Sequence, residues 1–248
     1  MIYFATVLML LFNSALQMVD PNDLKDGDDR FAAMDYAAAA AKYDAALQAS
    51  PNSAEALWRL SRVYVCMGEV AAADDAEALH RKGEKYARLA VLADEKNPSA
   101  HTWLAAALGN LTNFTSDNKA KILMSRDVVS ECLRAIELNP KDDVAYSILG
   151  SFYRAMGNIG WLEKRLAATF IESLPDGSYA ESETMLKKAI ALAPRAVRHR
   201  YELGLLYLDM NRKADAKKVF ADMQSLQPQL RSDRDRLAKI KDLLPTLN

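Results

Sequence analysis

Residues 197–228 read VRHRYELGLLYLDMNRKADAKKVFADMQSLQP, and this stretch decides the fold of the whole chain. Two segments within it carry small and apolar residues at helical spacing, and a polar turn at 209–213 separates them. One face of the first segment presents Arg200, Leu203, Gly204 and Tyr207, and one face of the second presents Ala216, Phe220 and Met223. Because spacings of three and four residues place side chains on one side of an α-helix, the stretch predicts two helices packed against each other.

The residue types at these positions suit a close contact between two helices. Gly204 has no Cβ, so it lets the second helix approach the first. Tyr207 and Phe220 supply large apolar rings that fill the space between the helices. Pro228 cannot donate an intrahelical hydrogen bond and therefore marks a boundary between helices. This order of a small residue, a tyrosine, an alanine, an aromatic residue and a proline is typical of the tetratricopeptide repeat, whose period is about 34 residues.

Prolines at similar places earlier in the chain indicate that the unit is repeated. Pro51, Pro98, Pro140, Pro194 and Pro228 are separated by 47, 42, 54 and 34 residues. The middle units would therefore contain insertions relative to a period of about 34 residues. We expect an all-α fold, a right-handed superhelix of about five repeats over residues 20–228, followed by a polar capping helix over 229–248.

Three local features refine this expectation. Gly27 is the predicted small residue at the helix contact of the first unit, judged by its offset from Ala39. The acidic, alanine-rich segment 71–78 either lengthens a helix or forms an extended loop. The polar segment 110–119 is rich in Thr and Asn and is predicted to be a loop.

The N-terminal residues 1–19 contain an apolar run at 2–12 (IYFATVLMLLF), followed by the small residues Ser14 and Ala15. A run of this length suits the core of a signal peptide and is shorter than the roughly 20 residues needed to span a bilayer. No Lys or Arg precedes it, so an uncleaved membrane anchor and a helix that caps the repeats stay open as alternatives. A cleaved leader predicts an exported, periplasmic or extracellular protein; a retained one predicts a membrane-anchored or cytoplasmic protein.

The sequence contains no pattern that calls for catalysis. His80, His101 and His199 lie in three different units, with no Cys or carboxylate at metal-ligand spacing. The chain has no Gly-rich phosphate loop and no nucleophile elbow, and Cys66 and Cys132 are expected to pack as small apolar residues. The net charge of -1 gives no electrostatic basis for binding nucleic acid. We therefore predict a protein that is not an enzyme and has no cofactor, metal or catalytic residue.

Repeats of this kind supply a binding surface, because the first helices of the stacked pairs line a concave groove. Positions near the start of each first helix predict a partner-binding set made of Glu55, Trp58, Arg59, Arg62, Thr102, Ser147, Ser151, Arg154, Arg198 and Tyr201, with Ala105, Gly109, Val144 and Leu205 beside them. Arginines and aromatic rings suit a peptide or protein partner that bears acidic and apolar groups. The alternative is that these arginines are ordinary solvated residues.

The insertion of the fourth unit carries a more specific pattern. It contains Trp161, Lys164, Ala167 and Ala168, followed by Pro175, Ser178 and Tyr179. Together with LWRL at 57–60, HTWLA at 101–105 and AIELNPKD at 135–142, this arrangement resembles the regulator of microtubule dynamics family. The resemblance implies atypical tetratricopeptide-like repeats and, since related sequences occur in bacteria, a bacterial-type relative. Animal members are linked to microtubules, so a cytosolic microtubule-associated regulator is the alternative function. A pocket behind Trp161 that serves an enzyme or a ligand carrier is a second alternative.

Overall fold

The computed structural model describes residues 21–159 and 175–247, which contain eleven α-helices, a short 3-10 helix at Leu244–Thr246 and no strand. The helices are α1 (Pro21–Ala32), α2 (Tyr36–Ala49), α3 (Ala54–Gly68), α4 (Ala73–Ala93), α5 (Pro98–Leu111), α6 (Asn118–Leu138), α7 (Asp143–Asn158), α8 (Tyr179–Leu192), α9 (Val197–Asp209), α10 (Lys213–Met223) and α11 (Arg231–Leu243). The predicted all-α fold is confirmed.

Consecutive helices from α1 to α10 pack as five pairs. The first helix of each pair also contacts the first helix of the next, which joins α1, α3, α5, α7 and α9 into one continuous layer. The second helices contact the next pair through its first helix. This nearest-neighbour stacking is the arrangement of a repeat solenoid, and it gives the layer of first helices an inner face.

Small residues and rings interlock within the pairs as the sequence predicts. A Cβ at Gly204 would overlap the Phe220 ring, and a Cβ at Gly27 would overlap the Tyr43 ring. The third pair reverses the sizes, because the large Leu108 lies on α5 and the small Cys132 on α6, both within one core cluster. The volume between the two helices is therefore filled from either side of the contact, which keeps the core dense.

The insertions lengthen helices more than the sequence predicts. Of the two alternatives for segment 71–78, the longer helix is present, because α4 begins at Ala73. The loop predicted at 110–119 is wrong at both ends, since α5 continues to Leu111 and α6 begins at Asn118. Asp117 starts α6 early by accepting a hydrogen bond from the backbone N–H of Lys119. Trp161 lies outside the described residues, and Ser178 caps α8 by accepting a hydrogen bond from the backbone N–H of Glu181.

The C-terminal helix connects the two ends of the solenoid. The backbone N–H of Arg231 donates to the hydroxyl of Tyr36 at 3.1 Å, and Arg231 Nε donates to the carbonyl of Met34 at 2.7 Å. Leu230 packs against the N-terminal core cluster. The helix predicted as a polar cap thus also reaches the first repeat, about 195 residues away along the chain. No helix in the described ranges is both long enough and apolar enough to cross a bilayer.

Candidate partner-binding surface

The predicted binding residues on α3 form an ion-paired group that we call the Asp28 wall: Asp28, Glu55, Trp58, Arg59 and Arg62. Arg59 Nε donates to Asp28 Oδ2 at 3.0 Å, and Arg62 Nη2 donates to Asp28 Oδ1 at 2.7 Å. Trp58 Nε1 donates to Glu55 Oε2 at 3.1 Å. The side chains of Arg59 and Arg62 are only 15% and 18% exposed. The alternative that they are ordinary solvated arginines is therefore wrong.

Aromatic rings and charges hold the Asp28 wall in place. The guanidinium of Arg59 lies 4.3 Å from the ring centre of Trp58, and that of Arg62 lies 3.9 Å from the ring centre of Phe31. Burial raises the pKa of Asp28, but its bond from Tyr43 and the charges of both arginines outweigh burial and lower that pKa below its usual value. The carboxylate is thus kept ionised by the groups around it.

Three of the predicted binding positions make contacts within the protein itself. Thr102 is buried and donates to Asp142 Oδ2 at 2.6 Å, which ties α5 to the N-terminal cap of α7. Ala105 is fully buried in the core between neighbouring pairs. Tyr201 is half-buried, with its ring 6.4 Å from that of Phe220. Whether Tyr201 contacts a partner stays a prediction.

A buried charge cluster, the Glu69 cluster, joins three distant helices through Glu69, Arg198, Ser232 and Arg236. Arg198 Nη2 donates to Glu69 Oε1 at 2.8 Å, the hydroxyl of Ser232 donates to Glu69 Oε2 at 2.7 Å, and Arg236 Nη2 lies 3.3 Å from the same oxygen. Burial would raise the pKa of Glu69, yet the two arginines and Ser232 together lower it. Only Arg198 of this cluster was predicted as a site residue.

Ser147, Ser151, Arg154 and Arg198 come together around a cavity of about 530 Å³, which we call the Ser147 cavity. Ser147 and Ser151 are four residues apart on α7 and share one face with Arg154. The rest of the lining comes from Glu69, Ala106, Gly109, Asn110, Thr112, Asn113, Lys121, Ser125, Val128, Ile148, Phe152, Ala155, Met156, Glu202 and Arg236. Four predicted residues from two units thus meet at one site, together with the predicted neighbour Gly109.

A second cavity of about 480 Å³, the His199 cavity, shares Arg198 with the Ser147 cavity. Its lining includes Arg62, Val144, Arg198, His199 and Asp233. Arg62 and Arg198 are the predicted site residues that it contains, and Val144 is the predicted neighbour. Arg198 therefore lines both of these cavities.

Sequence reasoning missed Glu69 and Arg236, which line the Ser147 cavity and contact each other. Glu69 lies just after α3, 129 residues from Arg198 and 167 from Arg236. The repeat period places residues only within a pair and its neighbours, so it carried no signal for this contact. The sequence showed that the C-terminal helix is highly charged, but it did not show that Glu69 is the carboxylate with which Arg236 pairs.

The histidines are packed residues. His101 Nδ1 lies 2.5 Å from Glu131 Oε2 and Nε2 lies 2.8 Å from the carbonyl of Glu95; the bond to Glu131 raises the pKa of His101 despite burial. His80 covers Gly68, and burial lowers its pKa. His199 Nε2 lies 2.8 Å from Asp143 Oδ2. In the part of the chain that the structure describes, no group of three or more His, Cys, Asp or Glu is placed to hold a metal ion.

The two cysteines are free and buried in core clusters, which confirms their predicted packing role. Burial raises the pKa of Cys66 to about 12 and raises that of Cys132 as well. Thiols held protonated in this way are poor nucleophiles.

Comparison with solved structures defines the class of protein as a tetratricopeptide-like helical repeat protein. The chain matches the thermophilic TPR protein TTC0263 of Thermus thermophilus with a TM-score of 0.67 and 22% identity, over 90% of this chain and 98% of that one. It matches Pseudomonas aeruginosa pilF with a TM-score of 0.53 and 16% identity, over 91% of this chain and 90% of that one. At these identities the likeness establishes the fold alone.

Residues 23–248 match the family described as Regulator of microtubule dynamics protein 1-3, and the chain belongs to this family. It is 28% identical over 196 residues to regulator of microtubule dynamics protein 3 of Xenopus laevis, covering 77% of this chain and 42% of the relative. It is 27% identical over 165 residues to protein 1 of Bos taurus, covering 65% of this chain and 52% of the relative. The chain thus spans about half the length of these curated relatives, and the predicted family resemblance is confirmed.

Proposed function

We propose that this protein is a non-catalytic interaction scaffold that binds a peptide or protein partner on the inner face of its repeats. The observation that carries the proposal is the Ser147 cavity, where predicted binding residues from α7 and α9 line one recess of about 530 Å³. The lining combines apolar residues such as Val128 and Phe152 with many polar and charged ones. Concave sites of this size are typical of ligand binding.

The contacts that the predicted residues already make within the protein narrow the part of the inner face that a partner would use. The arginines of the Asp28 wall are engaged by carboxylates and rings of the protein itself. A partner could recruit them only by displacing those contacts, at the cost of leaving buried charges unpaired. We therefore place the main partner contacts at Ser151 and Arg154, beside Ser147 and the Glu69-bound Arg198 in the same lining. Trp58 and Glu55 form an accessory edge.

Site-specific photo-crosslinking in the native host tests this proposal. A photoreactive amino acid is placed at Ser151 on the inner face and, as the matched control, at Leu133 on α6, whose side chain is 51% exposed. We expect a discrete adduct at Ser151 that mass spectrometry assigns to one partner, and no such adduct at Leu133. Adducts at Leu133 alone, or the same adducts at both positions, would contradict an inner-face site.

We further propose that the protein is exported or tethered to a membrane by residues 1–19. The support is the apolar run at 2–12 followed by small residues. The intact mass and N-terminal residue of protein purified from its native host test this. Loss of a segment ending near Ala15 supports export, whereas retention of Met1 or Ile2 leaves a membrane anchor or a cytosolic protein.

Family membership favours one second candidate, a cytosolic microtubule-associated regulator. Its test is co-sedimentation of the purified protein with polymerised microtubules, measured against an unpolymerised tubulin control. A cleaved leader together with no co-sedimentation would eliminate this candidate.

A further inference from the structure

The His199 cavity lies where the first helices of all five pairs meet the segment that leads into α11. Residues from each of these elements line it, among them Phe31, Arg62, Trp103, Val144, His199 and Leu230. Its volume of about 480 Å³ is within the range of sites that hold small molecules. A molecule bound here would contact the first repeat, the last repeat and the C-terminal segment together.

Three side chains of this lining keep a buried nitrogen that has no hydrogen-bond partner in the described part of the chain. These atoms are Nε of Arg62, Nε of Arg198 and Nδ1 of His199. Arg62 uses Nη2 for its bonds to Asp28 and Tyr43, and His199 is only 2% exposed. Buried polar groups are nearly always paired in native proteins, so these nitrogens indicate a partner that occupies the cavity.

The two nitrogens that belong to this cavity alone have complementary hydrogen-bonding roles, since Arg198 also lines the Ser147 cavity. Arg62 Nε carries a hydrogen and can only donate. His199 Nε2 lies 2.8 Å from Asp143 Oδ2 and donates to it, because a carboxylate only accepts. In the neutral ring, Nδ1 of His199 then has a lone pair and accepts. A ligand that pairs with both nitrogens needs one acceptor and one donor.

The charges of the lining are already balanced within the protein. Each charged side chain of the lining has a partner, and the pairs are Arg62–Asp28, Arg198–Glu69, Asp143–His199 and Asp233–Arg236. A charged ligand would displace one of these partners and leave a largely buried charge unpaired, which is costly. The lining therefore favours a neutral ligand.

The remaining walls are apolar and partly aromatic. Phe31 and Trp103 are buried large rings, Val197 is fully buried, and Val144 and Leu230 are half-buried. Rings of this kind offer flat apolar area to a ligand. The molecule that suits the cavity is therefore a flat, neutral one with a donor and an acceptor on its edge.

We propose that the His199 cavity binds a neutral ring-shaped amide, in which an N–H and a C=O group lie side by side. The C=O accepts from Nε of Arg62, the N–H donates to Nδ1 of His199, and the ring packs on the apolar walls. Nucleobases and cyclic dipeptides share this chemistry. The site goes beyond the proposed function, because it takes a small molecule and its lining does not include Ser151 or Arg154.

Isothermal titration calorimetry of the full chain tests the site with two probes, thymine and the cyclic dipeptide of glycine and phenylalanine. Each is compared with its N,N′-dimethyl analogue, which keeps the ring but cannot donate a hydrogen bond. We expect at least one parent compound to bind and its analogue to bind about tenfold more weakly, since the analogue leaves Nδ1 of His199 unpaired. Binding of neither parent, or equal binding of a parent and its analogue, would overturn the proposal.

The two probes also separate the two sources of the ring amide. Binding of thymine alone supports a nucleobase, and binding of the cyclic dipeptide alone supports a peptide-derived ring. Binding of both supports a site that recognises the shared amide edge. Each of these three results supports the proposed class of ligand.

A first pair of variants tests the role of His199. His199→Phe keeps a ring in place and removes Nδ1, so the parent compound should bind at least about tenfold more weakly. The matched control is His80→Phe, because His80 is 3% exposed and its Nδ1 is also unpaired, but it does not line the cavity. This control should bind the parent compound with wild-type affinity.

A second pair of variants blocks the space without changing a buried residue. Ala32 and Ala33 are both exposed at the end of α1, and of the two only Ala32 lines the cavity. Ala32→Phe should weaken binding at least about tenfold while the thermal midpoint stays near that of wild type, and Ala33→Phe should not weaken it. Wild-type affinity in both His199→Phe and Ala32→Phe would place the ligand elsewhere and overturn the assignment.

Discussion

The Asp28 wall and the Ser147 cavity lie on the same inner layer of helices, yet they use arginine in opposite ways. In the wall, Arg59 and Arg62 donate to Asp28 at 2.7–3.0 Å and stack on aromatic rings. In the cavity, Arg154 lies 3.5 Å and 3.6 Å from its carboxylates, and its Nε has no hydrogen bond. The Asp28 wall therefore holds its arginines in short ion pairs, whereas Arg154 of the Ser147 cavity makes only longer contacts with its carboxylates.

The difference depends on what the neighbouring helix supplies. The second half of α1 brings Asp28 within reach of both arginines of α3. Near Arg154, the carboxylates come from α9 at longer range, so they balance its charge without using all its hydrogen bonds. An arginine predicted for a groove is thus structural or available according to the carboxylate that the adjacent repeat places beside it.

Replacing Glu69 should have the largest effect, because Glu69 borders the cavity and joins it to the C-terminal helix. Glu69→Ala leaves Arg198 and Arg236 buried without their shared carboxylate, and removal of one partner of a buried ion pair costs about 3–5 kcal/mol. Urea unfolding followed by circular dichroism measures the loss. The control is Glu137→Ala, since Glu137 is 69% exposed beside Arg134 and its loss should cost about 1 kcal/mol or less. Similar losses of unfolding free energy in the two variants would show that the Glu69 cluster contributes no more to stability than a surface ion pair.

Replacing Asp28 should have an intermediate effect confined to the wall. Asp28→Asn keeps the shape but removes the charge that pairs with Arg59 and Arg62, and we expect a loss of about 1–2 kcal/mol. The matched control is Asp29→Asn, because Asp29 is 67% exposed and pairs with the exposed Lys25. If the two losses are equal, the wall contributes no more than a surface ion pair.

Lowering the pH should reduce the loss of stability that Asp28→Asn causes. This tests whether the ionised carboxylate of Asp28 is what stabilises the Asp28 wall. The folded-state pKa of Asp28 is lowered, so its contribution is present above the unfolded value of about 3.9 and is lost as the pH falls through the folded value. The stability gap of about 1–2 kcal/mol between wild type and Asp28→Asn should therefore be constant from pH 7 to pH 5 and narrow below about pH 3.9. Unfolding curves across this range measure it. A gap that narrows already near pH 6 would point to a histidine instead.

Local sequence patterns predicted most of the fold. Gly204 and Phe220, or Gly27 and Tyr43, meet within one helix pair, so their contacts follow from the spacing of residues along about 34 positions. Helix ends followed the prolines for the same reason, as with Pro194 just after the end of α8. Contacts within one repeat can therefore be predicted from the sequence of that repeat.

The site was only half predictable, because its decisive contacts join repeats that are far apart. No sequence pattern indicated that Arg198 meets Glu69 or that Arg231 meets Tyr36, since both contacts depend on the curvature accumulated over several repeats. Lys121 was missed because the lengthened helices of the third pair place it where the sequence predicted the edge of a loop. The sequence therefore predicted which helices form the inner face, but it did not predict how the C-terminal helix packs against them.

The smallest expected effect compares two glycines and tests whether the cavity is open space. Gly109→Ala adds a methyl group that meets only Val128 at 4.0 Å, so the gain in helix propensity should stabilise the protein by about 0.5–1 kcal/mol. Gly204→Ala adds the same methyl group against the Phe220 ring, where overpacking should cost about 1–3 kcal/mol. Urea unfolding of both variants measures the two changes. Opposite signs would establish that the Ser147 cavity holds room which the helix contacts lack, whereas a loss at Gly109 would mean that the cavity wall is as tightly packed as the core.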